Sequence, residues 1–287
     1  MADIPIPTRA VLTPEGTVGA GARLPAIGLG TYGLRGAAGV AAVGTAIDAG
    51  FRLLDTAFNY DNEGAVGRAI IDSTVPRDEL IYSTKLPGRY HGYELALQAV
   101  EESLFRSGLD RLDLVLIHWP NPSVRKYVEA WRALVEARER GLVRMIGVSN
   151  FLPEHLDRII GDSGVVPVLN QIEVHPYHPQ DEVRAANAER GILTEGWSPL
   201  GASSDLIGHD IVTGIAEAHG TSPALVLLAW SIALGVIPLP KSATAARQAA
   251  NLTAFDLELG ATDLDRLRRL AGTDGRRHSD PSEHEEM

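Results

Sequence analysis

Gly50-Phe51-Arg52-Leu53-Leu54-Asp55-Thr56-Ala57-Phe58-Asn59-Tyr60 is an apolar run that ends in a carboxylate, with a phenol five residues further on. Two later stretches have the same form. Leu80-Ile81-Tyr82-Ser83-Thr84 runs into Lys85, and Leu114-Val115-Leu116-Ile117 runs into His118-Trp119-Pro120. These polar ends recur about thirty residues apart, the length of one strand-plus-helix unit. Repeating that unit sets strand ends side by side on the C-terminal face of a parallel barrel, where such folds keep their chemistry. An acid, a phenol, an ammonium and an imidazole gathered there can donate a proton to a reacting oxygen.

Working outward, apolar runs of strand length fall at 26–29, 51–54, 80–84, 114–117, 145–148, 168–172, 192–194 and 236–239. Most are continuous rather than alternating, as expected of strands buried on both faces. Helical stripes lie between them. Leu97, Val100 and Leu104 share one face; Tyr127, Val128, Trp131, Leu134 and Val135 share another, with Gly141 as a stop. Eight alternations predict an α/β fold, a (β/α)8 TIM barrel. Ahead of it, residues 9–13 and 18–24 flank Pro14-Glu15-Gly16 and read as a β-hairpin outside the barrel repeat. One domain over 1–287 is expected, with a short polar, mobile tail at 276–287 that is too short to build a deep specificity loop.

Composition narrows the function. The chain has 287 residues, 45% of them hydrophobic, and a net charge of −11. That charge argues against a nucleic-acid partner. With no cysteine, disulfides, thiolate nucleophiles and Cys-ligated metals are excluded. No apolar run approaches membrane-spanning length, and Met1 to Thr8 lacks the features of a secretory signal. A cytoplasmic protein without a membrane partner is expected.

Gly28-Leu29-Gly30-Thr31-Tyr32-Gly33 matches G-x-G-x-x-G, and Asp55 follows Gly33 by 22 residues (55 − 33). This is most of a dinucleotide-binding fingerprint. Such a reading leaves Lys85, His118, Ser149-Asn150 and Lys241 without roles.

The stretch from Gly50 to Glu63 closely resembles the signature of the aldo-keto reductases. The resemblance continues, in order, through Ser83-Thr84-Lys85-Leu86, Ile117-His118-Trp119-Pro120, Ile146-Gly147-Val148-Ser149-Asn150-Phe151, Asn170-Gln171-Ile172-Glu173, Trp197-Ser198-Pro199-Leu200-Gly201 and Ile237-Pro238-Leu239-Pro240-Lys241-Ser242. It is greatest to bacterial members related to 2,5-diketo-gluconate reductases. The family is a (β/α)8 barrel, mostly monomeric, that reduces aldehydes and ketones with NADPH. The resemblance implies Tyr60 as the general acid, Lys85 and Asp55 as its supports, and His118 to orient the carbonyl. A neighbouring ammonium is expected to ease loss of the phenol proton.

The same resemblance implies a cofactor site. Ser149, Asn150 and Gln171 would hold the carboxamide and Trp197 would stack on the nicotinamide. Gly30, Thr31, Ser198, Pro199, Leu200 and Gly201 would line the cofactor cleft. Lys241, Ser242 and Arg247 would clamp the 2′-phosphate, and Asn251 would touch adenine. Tyr32, Asn59 and Trp119 would wall the substrate pocket. Tyr32 and Pro87 stand where many members carry larger aromatics, so a shallow, open pocket is expected. Ser204 stands where animal members have an acidic residue, which implies fast cofactor exchange. No metal and no obligate protein partner are expected. A Schiff-base aldolase using Lys85, or a non-catalytic binding protein on the same barrel, are the competing readings. His155 and His175 read as structural, and His91 as a residue that could edge the site.

Overall fold

The computed structural model describes residues 8–10, 23–202, 204–272 and 280–286. Two short strands, β1 (Thr8–Ala10) and β2 (Arg23–Pro25), pair antiparallel. The expected turn at 14–16 lies outside the described residues.

Eight further strands form one parallel sheet in sequence order. They are β3 (Leu29–Gly30), β4 (Leu53–Asp55), β5 (Ile81–Leu86), β6 (Leu112–Ile117), β7 (Val143–Ser149), β8 (Leu169–Glu173), β9 (Leu193–Trp197) and β10 (Ile237–Pro238). Every apolar run singled out in the sequence contains or adjoins one of them. The first and last strands are joined. Gly28 N–H donates to Pro238 O (3.1 Å), Gly30 N–H donates to Pro240 O (3.2 Å), and Gly30 bridges Lys241. The sheet therefore curls back on itself.

That closure accounts for the glycine motif. A Cβ at Gly28 would stand 2.6 Å from Leu239, and one at Gly30 would stand 3.0 Å from Leu239 O. Gly28 makes room for the side chains of Leu239 and Leu53, and Gly30 for the backbone of the last strand, rather than for a pyrophosphate at a Rossmann turn.

The strands are buried over most of their length because helices cover them outside and side chains fill them inside. α1 (Gly36–Ala49), α2 (Glu63–Asp72), α3 (Tyr93–Ser107), α4 (Tyr127–Glu139) and α5 (Pro153–Ser163) pack over β3 to β7. Their inward faces carry Val43, Ile47, Val66, Leu97, Val100, Trp131 and Leu134, with Trp131 and Leu134 wholly buried. α6 (Asp181–Glu189), α7 (Asp210–Ala218), α8 (Pro223–Ala233), α9 (Ala245–Leu252) and α10 (Ala261–Arg268) complete the outer layer. Inside, Leu53, Ile81, Leu114, Leu116, Met145, Leu169 and Ile237 form a separate packed cluster below the strand ends. Burial of one such leucine stabilises by about 1.5–3 kcal/mol. Among the described residues no single helix is long and apolar enough to cross a membrane.

Candidate active site

The strand ends converge as the spacing predicts. Asp55 closes β4, Lys85 lies in β5, and His118 follows β6, where its N–H donates to Leu86 O (2.9 Å). Tyr60 stands on a single helical turn, Phe58–Tyr60, just beyond β4. Asp55, Tyr60 and His118 face one cavity, with Lys85 behind them. Lys85 is 1% exposed, and its ammonium donates to both Asp55 oxygens (2.7 Å each) and to Thr56 O (2.8 Å). The ammonium lies 5.0 Å from the centre of the Tyr60 ring, and Tyr60 meets His118 edge-on with ring centres 6.1 Å apart.

The electrostatics differ in one respect from expectation. Burial raises the Tyr60 pKa above its ordinary value, and this outweighs the lowering by Lys85. The phenol is thus firmly protonated at neutral pH, and Lys85 limits the penalty rather than reversing it. Burial also opposes the Lys85 charge, but Asp55 and Tyr60 more than offset it, so the Lys85 pKa lies above its usual value. A permanently charged lysine is the wrong state for a Schiff-base nucleophile.

A cavity of about 800 Å³ opens over this group. Its lining includes Gly30, Thr31, Tyr32, Asp55, Tyr60, His118, Trp119, Ser149, Asn150, Gln171, Trp197, Ser198, Pro199, Leu200 and Lys241. Fifteen of the residues predicted from the sequence are thereby brought to one wall. Lys85 lies behind Asp55, and Asn59 lies beside the cavity rather than in its lining. Gly201, Ser242, Arg247 and Asn251 stand outside the lining as well. Arg247 is exposed on α9, Asn251 is buried on the same helix, and Ser242 is engaged with Thr244 just ahead of it.

The polar groups along the cavity are tied to each other. Ser149 Oγ donates to Gln171 O (2.8 Å) and accepts from Asn150 Nδ2 (3.0 Å). Asn150 Nδ2 also donates to His118 O (3.0 Å), while Trp197 Nε1 donates to Asn150 Oδ1 (3.0 Å). Asn150 has a φ of 60° and Ser198 one of 52°. Non-glycine residues held there cost free energy, and such strain gathers at functional sites.

Gln171 shows a residue that the sequence reading missed. Its Nε2 donates to Asp55 Oδ1 (2.9 Å) and to Glu195 Oε2 (2.6 Å). With both amide hydrogens held by carboxyl oxygens, only its own oxygen is left to face the cavity. Glu195 is wholly buried in β9, next to Gln171 in register. The only signal in the sequence was a carboxylate directly after the short run 192–194, two residues before Trp197. Burial pushes its pKa up to about 8, with the charge of Asp55 adding to the effect.

The ordinary carboxyl value is 4.5, so between there and about 8 the folded chain keeps a proton the unfolded chain has released. Stability must fall as pH rises through that window, by at most about 5 kcal/mol. Glu195→Gln keeps an acceptor for Gln171 and has nothing to titrate. Denaturant midpoints at pH 5 and pH 8 should draw closer together in the variant than in the wild type. Equal pH dependence in both would show that Glu195 is not the group responsible.

The tail needs correction. Expected to be mobile, its described part, 280–286, is docked at the cavity. Asn121 Nδ2 donates to Glu286 O (2.6 Å), Ser123 N–H donates to Glu285 Oε1 (2.7 Å), and His284 packs on Trp119 with ring centres 4.2 Å apart. Asn59 Nδ2 donates to Glu286 Oε1 (2.8 Å), which also lies 2.7 Å from His118 Nδ1, a close polar contact without the alignment of a hydrogen bond. The segment is short, but it ends in polar groups that match those around the pocket. The pocket is accordingly less open than Tyr32 and Pro87 suggest, though Tyr32 itself is 62% exposed, edge-on to Tyr60.

His155 accepts from Leu152 N–H at the start of α5, and His175 lies 3.1 Å from Glu173, both away from the cavity. His91 is buried next to the docked tail, and burial lowers its pKa to about 4.

Comparison with known proteins agrees with this geometry. Residues 26–205 match the Aldo/keto reductase family. The chain is 50% identical to 2,5-diketo-D-gluconic acid reductase B of Corynebacterium sp. (strain SHS752001), over 91% of this chain and 94% of that one. Among solved structures, an aldo/keto reductase from Brucella melitensis is 42% identical with a TM-score of 0.85, covering 92% of this chain and 98% of that one. A mutant of Gox0644 in complex with NADPH is 40% identical with a TM-score of 0.87, covering 92% of this chain and 96% of that one.

Proposed function

The chain belongs to the Aldo/keto reductase family, and on that premise we propose that it reduces small aldehydes, α-dicarbonyls or keto-sugars to alcohols with Tyr60 as the proton donor. It is an NADPH-dependent carbonyl reductase. The observation that carries the proposal is a cavity lined by Asp55, Tyr60 and His118, with Lys85 ion-paired behind Asp55, that continues past Trp197 to Lys241.

The residues present fit the cofactor. Gln171 offers a bare amide oxygen at the cavity, an acceptor for the carboxamide NH₂. The Trp197 indole is fixed through Asn150 and supplies a flat face for stacking. Lys241, Ser242 and Arg247 gather at the start of α9, where backbone N–H groups and two cations suit a phosphate dianion. When bound there, NADPH supplies the hydride.

The protein's own part is proton transfer and positioning. A carbonyl oxygen placed between Tyr60 and His118 gains negative charge as its carbon is reduced. Tyr60 gives that oxygen its proton, and Lys85 stabilises the phenolate left behind. Asp55 keeps Lys85 charged and in place. His118 directs the carbonyl oxygen toward the phenol. Donors fixed in advance at a developing charge are worth more in a dry cleft than in water. We further infer one barrel domain acting as a cytoplasmic monomer, a reading supported by the resemblance to the family.

Loss of NADPH absorbance with a panel of neutral aldehydes and α-dicarbonyls tests this reading. Absence of turnover with every class would overturn it. Because Tyr60 and His118 would polarise and protonate the carbonyl oxygen without a Lewis acid, turnover should persist in excess EDTA. Activity lost to EDTA and restored by zinc would contradict the mechanism.

A further inference from the structure

The carboxylate that the tail brings to the site has a chemical consequence. Glu286 is held through its main chain and its side chain. Asn121 accepts from Glu286 N–H (3.2 Å) and donates to its carbonyl (2.6 Å), which clamps both backbone groups. A Cβ at Gly88 would stand 2.1 Å from Asn121 Nδ2 and 2.2 Å from Glu286 O, so the segment docks where only glycine leaves room. The side chain is 12% exposed, and its Oε1 meets Asn59 and His118. Its Oε2 is buried and has no partner among the described residues. Burial tends to neutralise this carboxyl. His118, Asn59 and the Gly88 N–H outweigh that and hold its pKa below the usual value, so it is charged at neutral pH.

A fixed anion thus stands against the imidazole that, on the reading under Proposed function, directs the substrate carbonyl. Whatever group is attached to the reacting carbon must approach it. A carboxylate there meets a like charge in a partly dry site, with an oxygen that only a donor can satisfy. We propose that Glu286 is a specificity-determining residue that selects carbonyl substrates lacking a carboxylate next to the reacting carbon. The residue acts on substrate choice rather than on proton transfer, so its signature is a ratio between two substrates.

Phenylglyoxylate and its methyl ester are a matched pair, with the same ketone and with or without the charge. kcat/KM for each, followed by NADPH absorbance in the full chain, should favour the ester in the wild type. Glu286→Gln should raise the acid-to-ester ratio tenfold or more, the usual scale for relief of like charges a few ångströms apart. Glu285→Gln removes the same formal charge one residue away, where Oε1 accepts from Ser123 N–H, and should move the ratio less than twofold. An unchanged ratio in Glu286→Gln, or an equal change in Glu285→Gln, would overturn the proposal while leaving carbonyl reduction standing. A wild type that turns over neither compound nor simple aldehydes would overturn the underlying reading and this one with it.

Discussion

Tyr60→Phe is expected to lower kcat for carbonyl reduction by about 10² or more, the usual weight of a general acid, while NADPH still quenches or shifts protein fluorescence at wild-type concentrations. The ring would keep its edge contacts with Tyr32 and His118, so the pocket keeps its shape and loses only the hydroxyl. Burial raises the pKa of that hydroxyl, which guarantees its proton at neutral pH but makes transfer harder. The ammonium of Lys85 offsets that difficulty. Lys85→Met should therefore also abolish most turnover, and should additionally leave the buried Asp55 carboxylate without its counter-ion. Removing one partner of a buried pair destabilises by about 3–5 kcal/mol, so Lys85→Met should lower the melting temperature where Tyr60→Phe does not. Retention of more than about a tenth of wild-type kcat in Tyr60→Phe would mean that another group donates the proton.

Arg247→Ala is expected to weaken NADPH about 10- to 100-fold and to leave NADH nearly unchanged. Charge-assisted hydrogen bonds are worth about 1.5–3 kcal/mol each, and only NADPH carries the 2′-phosphate they would grip. Arg247 is exposed on α9, where no ion pair or hydrogen bond ties it down among the described residues. Its removal should not disturb folding. Dissociation constants for both cofactors, measured by fluorescence on wild type and variant, decide the matter. Equal losses for the two would show that Arg247 does not read the phosphate.

Much of the site was legible because a parallel barrel converts sequence period into position. Asp55, Lys85 and His118 each follow or close an apolar run, and successive strands are hydrogen-bonded neighbours, so residues at equal places in the repeat arrive on one rim. The helical stripes were legible for a similar reason: Val100 and Leu134 face inward because their spacing leaves one apolar side to bury. The glycine motif misleads when read alone. Close packing against a strand and close approach of a phosphate both demand a missing Cβ, and the bonds from Gly28 and Gly30 to the last strand distinguish them for the first two glycines.

The repeat in the sequence was enough to predict the strand-and-helix order and the convergence of Asp55, Lys85 and His118, because these depend on a local pattern recurring at a fixed interval; the roles of Tyr60 and of the residues from Ser149 to Lys241 came from the family resemblance. Only the tertiary structure decided three other things. Glu195 holds Gln171 across neighbouring strands, the Tyr60 phenol is raised rather than lowered in pKa, and Glu286 returns over a separation of 227 residues to meet Asn59. The depth of burial depends on all the elements that surround a group at once. A contact between distant segments depends on where two chain paths end in space. Neither leaves a period in the sequence from which it could be read.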